Sequence, residues 1–220
     1  MERVKELPYF YIDGLVGGNQ DWFLDPWMHL GGCGALTACD LCLQQAIYGG
    51  ARGLYPYDLP DSPDHLLRRD YVHFGMRMKR YLRPRHMGIN KTSLFVEGFQ
   101  NYLADCGETG WRFDALQGSA PVSEAAAAVI ERIDAGVPVP FLTLMHRDPK
   151  FEDFNWHWYI VAGYRIDTDR AGGTSGPDSA CAGISVKAIT YGEETWLPLD
   201  ELWNTGYEER GGIVLVQPGR

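Results

Sequence analysis

Apolar positions fall into two regimes along the 220 residues. Between residues 34 and 136 they recur three and four apart. The spacing predicts a helix from Gly34 to Gly49–Gly50, with Leu36, Cys39, Leu43 and Ile47 on its apolar face. A second helix is predicted over Tyr71–Tyr81 and a third over Leu94–Leu103, capped by Thr92 or Ser93. A fourth opens at Ser123, presents Ala126, Val129, Ile130 and Ile133, and stops at Gly136. Beyond 137 the period shortens. PVPFLTL, WHWYIVAGY, AGISVKAI and GGIVLVQ read as strands with turns between them. Trp111–Leu116 suggests an edge strand, Leu7–Gly18 a short strand or extended cover, and Leu199–Trp203 a helical turn. The glycine-rich stretch Asp167–Ala180 reads as an insertion between strands. The pattern is that of an α+β protein with a mainly antiparallel sheet. One domain over residues 1–220 is expected, with a helical lobe to about 136 and a sheet lobe from about 137.

Charge and composition narrow the partners. Twenty basic against 29 acidic side chains give a formal charge of -9, without the basic patch that a phosphate backbone requires, so nucleic acid is not expected. No segment has the apolar length to span a bilayer, and the start MERVKELPYF lacks a secretory pattern. A cytoplasmic protein with no membrane partner is the expectation. The cysteines at 33, 39, 42, 106 and 181 are odd in number and irregular in spacing, which predicts free thiols. Cys39 and Cys42 lie inside a helix without a second ligand pair, and the histidines form no compact ligand set. No metal or cofactor is implied.

Cys33 is the residue with a chemical address. It stands where the glycine turn Gly31–Gly32 enters the first helix, so unpaired backbone N–H groups and the helix dipole favour its thiolate. A thiol pKa lowered towards neutrality is expected there. Gly31, Gly32 and Gly34 leave the sulfur unobstructed, and the adjacent amides suit a developing oxyanion. Strand alternation in NWHWYIVAGY sets His157, Tyr159 and Val161 on one face and Trp156, Trp158 and Ile160 on the other. A histidine at the rim of a strand can take a proton from a thiol and return it to a leaving group. Asn19 and Gln20, in the loop before the aromatic run WFLDPW, are candidate oxyanion donors.

These stretches, residues 14–48 and 137–217, resemble the papain-like cysteine peptidases, in particular the bacterial C39-like branch. The resemblance is carried by an amide-bearing loop, a glycine turn into a helix headed by cysteine, and a later strand reading His, apolar run, Gly-Tyr. It implies a nucleophile helix packed on a C-terminal antiparallel sheet, with Cys33 as nucleophile, His157 as base and Gln20, or Asn19, as oxyanion donor. The chain departs from the family by inserting WFLDPWMHLGG between Gln20 and Cys33. It also carries Ile189 where a polar residue orients the histidine, which leaves Thr190 or Asp167 for that task. Residues 50–120 carry no family mark.

The expected activity is hydrolysis of an amide or peptide bond through an acyl-enzyme on Cys33, on a peptide or small-molecule acyl substrate. Two alternatives use the same scaffold: an acyltransferase of natural-product biosynthesis employing the same pair, and a binding protein that has lost catalysis.

Overall fold

In the computed structural model, which describes residues 2–86, 88–167, 181 and 183–219, the longest strand is the axis of the sheet. This is β6, His157–Asp167. On one side it pairs with β7 (Ile184–Thr190), which pairs with β8 (Glu193–Pro198). On the other side its first half pairs with β5 (Val139–Thr143) and its second half with β1 (Glu2–Glu6). β9 (Gly211–Gln217) and β4 (Arg112–Gln117) continue beyond β5, so that β4 is an edge as expected. All these pairings are antiparallel. A two-stranded ribbon, β2 (Tyr11–Ile12) with β3 (Leu15–Val16), forms the cover predicted near the start.

The two faces of β6 feed two separate cores. Trp158, Ile160 and Ala162 join Ile189, Val214 and the helical residues, whereas Tyr159 and Val161 join Phe141, Ala188 and Ile213. The alternation read from sequence holds to Val161. Between Val161 and Gly163 the register with β7 shifts by one residue, so Tyr164 falls on the same face as Val161 instead of the opposite one. The first face carries α2 (Cys33–Tyr48), α3 (Arg68–Met78) and α4 (Thr92–Asp105). The second carries α5 (Val122–Asp134) and α6 (Leu199–Trp203). The fold is α+β, N-terminal helices packed against an antiparallel sheet of about seven strands.

Several local expectations change. The first helix is not amphipathic: every residue from Cys33 to Ala46 is buried, including Thr37, Asp40, Gln44 and Gln45, while Ile47 is only half-buried. A helix enclosed on all sides has no polar stripe to read. α4 takes Lys91 and α5 takes Pro121 as N-cap, without a side-chain hydrogen bond from Thr92, Ser93 or Ser123. A short helix, α1 (Pro26–Gly31), capped by Asp25 with proline at its first position, begins within the aromatic run WFLDPW, where no element was predicted. The insertion predicted over 167–180 lies, apart from Asp167, outside the described residues. Cys33, Cys39, Cys42 and Cys106 carry free thiols. Among the described residues no helix is long and apolar enough to cross a membrane.

Candidate functional site

α1 and α2 share one boundary residue, Gly32, which ends the first helix and begins the second. A Cβ there would lie 2.4 Å from the Met28 carbonyl oxygen, so only glycine permits the close turn that sets Cys33 at the tip of α2. Opposite it, His157 begins β6. The residue before it, Trp156, holds φ at 53°, and its N–H bonds the Leu144 carbonyl at 2.6 Å. Tyr191, in the turn between β7 and β8, also has φ of 53° and stacks on the imidazole at 4.8 Å between ring centres, 8° from parallel. Left-handed backbone at bulky residues is costly, and two of the three non-glycine instances among the described residues flank this histidine.

Cys33, His157, Gln20 and Thr190 line one cavity with Gly18, Leu36, Thr37, Asp40, Ile189 and Tyr191. Its free volume is about 20 Å³, room for about one water. Residues more than a hundred positions apart are thus brought to one floor. His157 Nε2 shares a 2.7 Å hydrogen bond with Thr190 Oγ1, which makes Thr190 the partner of the ring and leaves Nδ1 uncommitted. Ile189 faces the helical core instead. Asp167 lies at the far end of β6, opposite Glu2, and does not line the cavity.

The amide loop divides its tasks. Gln20 is buried; its Nε2 donates to the His29 carbonyl at 2.6 Å, while its Oε1 has no partner. Asn19 does not line the cavity. Its Oδ1 caps the turn at residues 20–22 and its Nδ2 donates to the Tyr191 carbonyl at 2.9 Å, tying the loop to the turn that stacks on His157. Behind the loop, Asp40 receives Tyr71 Oη at 2.6 Å, Tyr9 Oη at 3.2 Å and the Gly18 N–H at 3.3 Å. Asp40 and Thr37 were not singled out from sequence. The available signal was their spacing, one and two turns from Cys33 on the same side of the helix.

The electrostatics correct one expectation. Burial raises the Cys33 thiol above its usual pKa, although the N–H groups of Trp158, Gly34 and Cys33 itself point at the sulfur and pull the other way. Desolvation therefore outweighs the helix tip. Burial likewise lowers His157 to about 4. Among the described residues there is no hydrogen bond between the sulfur and the imidazole, so the resting pair is a neutral thiol beside a neutral ring. Nor does Gly34 keep the sulfur open: it faces Ile89 and Trp158. Cys39 and Cys42 are fully buried with thiols pushed well above their usual range, which makes them inert.

No family model, curated protein or solved structure matches this chain. Among the described residues no three His, Cys, Asp or Glu side chains converge to hold a metal ion.

Proposed function

We propose that the protein is a cysteine hydrolase that cleaves an amide or peptide bond through an acyl-enzyme on Cys33, with a papain-like arrangement of nucleophile helix and histidine strand. The observation that supports it is the convergence of Cys33, His157, Thr190 and Gln20 on one small cavity. A space of that size takes a reacting carbonyl and little else, so the bulk of a substrate lies along the rim.

In this reading His157 Nδ1 accepts the thiol proton as Sγ attacks the carbonyl carbon. The neutral state of both groups at rest makes the histidine a general base rather than one half of a standing ion pair. The oxyanion is met by the Cys33 N–H at the helix tip and by the Gln20 Nε2 hydrogen not used on His29. Collapse returns the proton from the imidazolium to the leaving amine and leaves a thioester. Water, deprotonated by His157, then releases the acid and restores the thiol. Thr190 engages Nε2, which leaves Nδ1 for this proton transfer.

An activated ester such as p-nitrophenyl acetate tests this without a known substrate. One equivalent of nitrophenolate should appear in a burst, with the acetyl group mapped to Cys33 by mass spectrometry. Cys33→Ala should abolish the burst, and His157→Ala should slow it about a hundredfold or more. Release by wild type no faster than by Cys33→Ala would leave the scaffold as a binding protein.

A further inference from the structure

Helix α1 has a buried side and a bare one. Met28 is fully buried, and α3 presents Gly75 to Phe23 and Met28. Trp27 and Leu30, one turn apart, face away from that contact, and Leu24 immediately precedes the cap Asp25. Leu24 is 100% exposed, Leu30 80% and Trp27 54%. A single exposed leucine needs no explanation, but three large apolar side chains bared within seven consecutive residues, two of them one turn apart on α1, make this edge of the molecule apolar. None of them lines the Cys33 cavity, so the chemistry there does not account for them.

The patch is fixed beside cations. Lys79 Nζ pairs with Asp25 at 2.7 Å, joining the start of α1 to the end of α3, and the backbone of the Arg83–Pro84–Arg85 segment runs beside Gly31 at its other end, through Pro84 Cβ and the Arg85 carbonyl. Arg77, Lys79, Arg80, Arg83 and Arg85 follow one another with no carboxylate between them, in a chain whose formal charge is -9. Arg83 and Arg85 are exposed. On the α1 side, Asp25 is neutralised by Lys79, which leaves Asp21 as the nearby carboxylate of that segment.

Three occupants are conceivable, and the observations favour one. A second copy docked about a two-fold axis would set these cations against themselves. A protein partner would have to offer matched pockets for Leu24 and Leu30, which stand out from the surface, together with an acidic rim, whereas a lipid boundary accepts them without a shaped complement. Protruding leucine and tryptophan with arginine alongside suit the boundary between lipid headgroups and acyl chains, where the apolar groups leave water and the cations meet anionic headgroups. We propose that the Leu24–Trp27–Leu30 face, with Arg83 and Arg85 beside it, seats this chain on an anionic lipid surface. Adsorption needs no spanning helix, so this proposal departs from the expectation of no membrane partner, which was drawn from the lack of a spanning run. With only Gly32 between α1 and Cys33, the nucleophile helix would start beside that surface.

Co-sedimentation of the full chain with equimolar phosphatidylglycerol–phosphatidylcholine vesicles tests the proposal. Binding should be at least about tenfold weaker on phosphatidylcholine alone, and in about 0.5 M salt. The double variants Leu24→Ser/Leu30→Ser and Arg83→Glu/Arg85→Glu should each weaken it about tenfold or more while melting at the wild-type temperature, since all four side chains are exposed. Cys33→Ala should bind as wild type, so failure of the enzymatic reading and failure of this one are distinguishable. No partition onto anionic vesicles, or partition insensitive to both double variants, overturns the proposal. So does a wild-type dimer that Leu24→Ser/Leu30→Ser dissociates, which would give the face to a second copy. Equal binding to polyglutamate, with the same loss in the leucine variant, would give it to an acidic polypeptide and also overturn it.

Discussion

Two polar clusters are buried along α2, two turns apart, and they are treated differently. Around Asp40 the fold has supplied three donors, from Tyr71, Tyr9 and the Gly18 backbone, to one carboxylate. At the Cys33 end the same fold leaves partners out. His157 has Thr190 alone, Gln20 Oε1 has none, and the sulfur is met only by backbone N–H groups. Burying a polar group is costly unless its hydrogen-bonding capacity is used. A satisfied cluster stiffens its surroundings, whereas an unsatisfied one keeps capacity for something that is not part of the chain. The comparison thus separates a cluster that holds the loop in place from a cluster the loop serves.

The largest effect that tests this separation is on stability. Asp40→Ala leaves two buried hydroxyls and one buried N–H without their acceptor, and should cost on the order of 3 kcal/mol, about 6–12 °C in Tm. Gly18→Ala should strike the same cluster from the other side, because its Cβ would fall 1.8 Å from Tyr71 Oη. Cys33→Ala, at the other cluster, should change stability by about 1 kcal/mol or less. Urea denaturation of the three variants would erase the distinction if Cys33→Ala proved as damaging as Asp40→Ala.

Acid titration sharpens the contrast, because the two clusters respond to pH with opposite sign. Burial lifts the Asp40 carboxyl from 3.8 to about 6 against the pull of its three hydrogen bonds. The folded state favours its proton, so its contribution to stability is whole below about pH 4 and is lost as pH rises through 6. His157 drops from 6.5 to about 4. The folded state favours the neutral ring, so its contribution is whole above about pH 6.5 and is lost as pH falls through 4. Each shift corresponds to about 3 kcal/mol over its full window. The two slopes oppose between pH 4 and 6. Relative to wild type, Asp40→Asn should gain stability as pH rises across that range, and His157→Gln should lose it. Urea midpoints taken at half-unit intervals would contradict this if both differences ran the same way.

The same contrast explains what the sequence disclosed. Periodicity exposed α2, α5 and β6 because each has a long run of apolar residues, and the turn at Gly31–Gly32 marked Cys33 as a helix head. β1 and β8 left no such mark. Glu2–Glu6 is exposed throughout, and β8 is exposed over its first three residues, so both join the sheet mainly through backbone pairing, which side-chain patterns do not encode. α1 was announced by Asp25 followed by Pro26, a start signal hidden among aromatics. The thiol expectation failed for a related reason. Helix-tip stabilisation is a local property readable from order along the chain, whereas the burial that outweighs it depends on strands far away in sequence that close around the cavity. Thr190 was one of two open choices for the residue that holds the imidazole, and the strand register that brings it to His157 emerges only from the pairing of β6 with β7.

As small a change in stability as that of Cys33→Ala is expected at that contact, and it asks whether the under-partnered cluster is organised at all. Thr190→Val keeps the shape of the side chain and removes the hydroxyl that bonds His157 Nε2 at 2.7 Å. Stability should shift by about 1 kcal/mol or less. Nitrophenolate release should nevertheless fall about tenfold to a hundredfold, since a ring free to turn spends less time with Nδ1 towards the sulfur. Thr190→Ser, which restores the hydroxyl, should recover most of the rate. Alkylation of Cys33 by iodoacetamide should stay within about twofold of wild type in both variants, because the groups that set the thiol pKa are backbone N–H donors and burial, neither of which the substitution touches. If Thr190→Val acylated at the wild-type rate while His157→Ala did not, the ring would be held by its stack on Tyr191 instead, and the hydroxyl would count as structure.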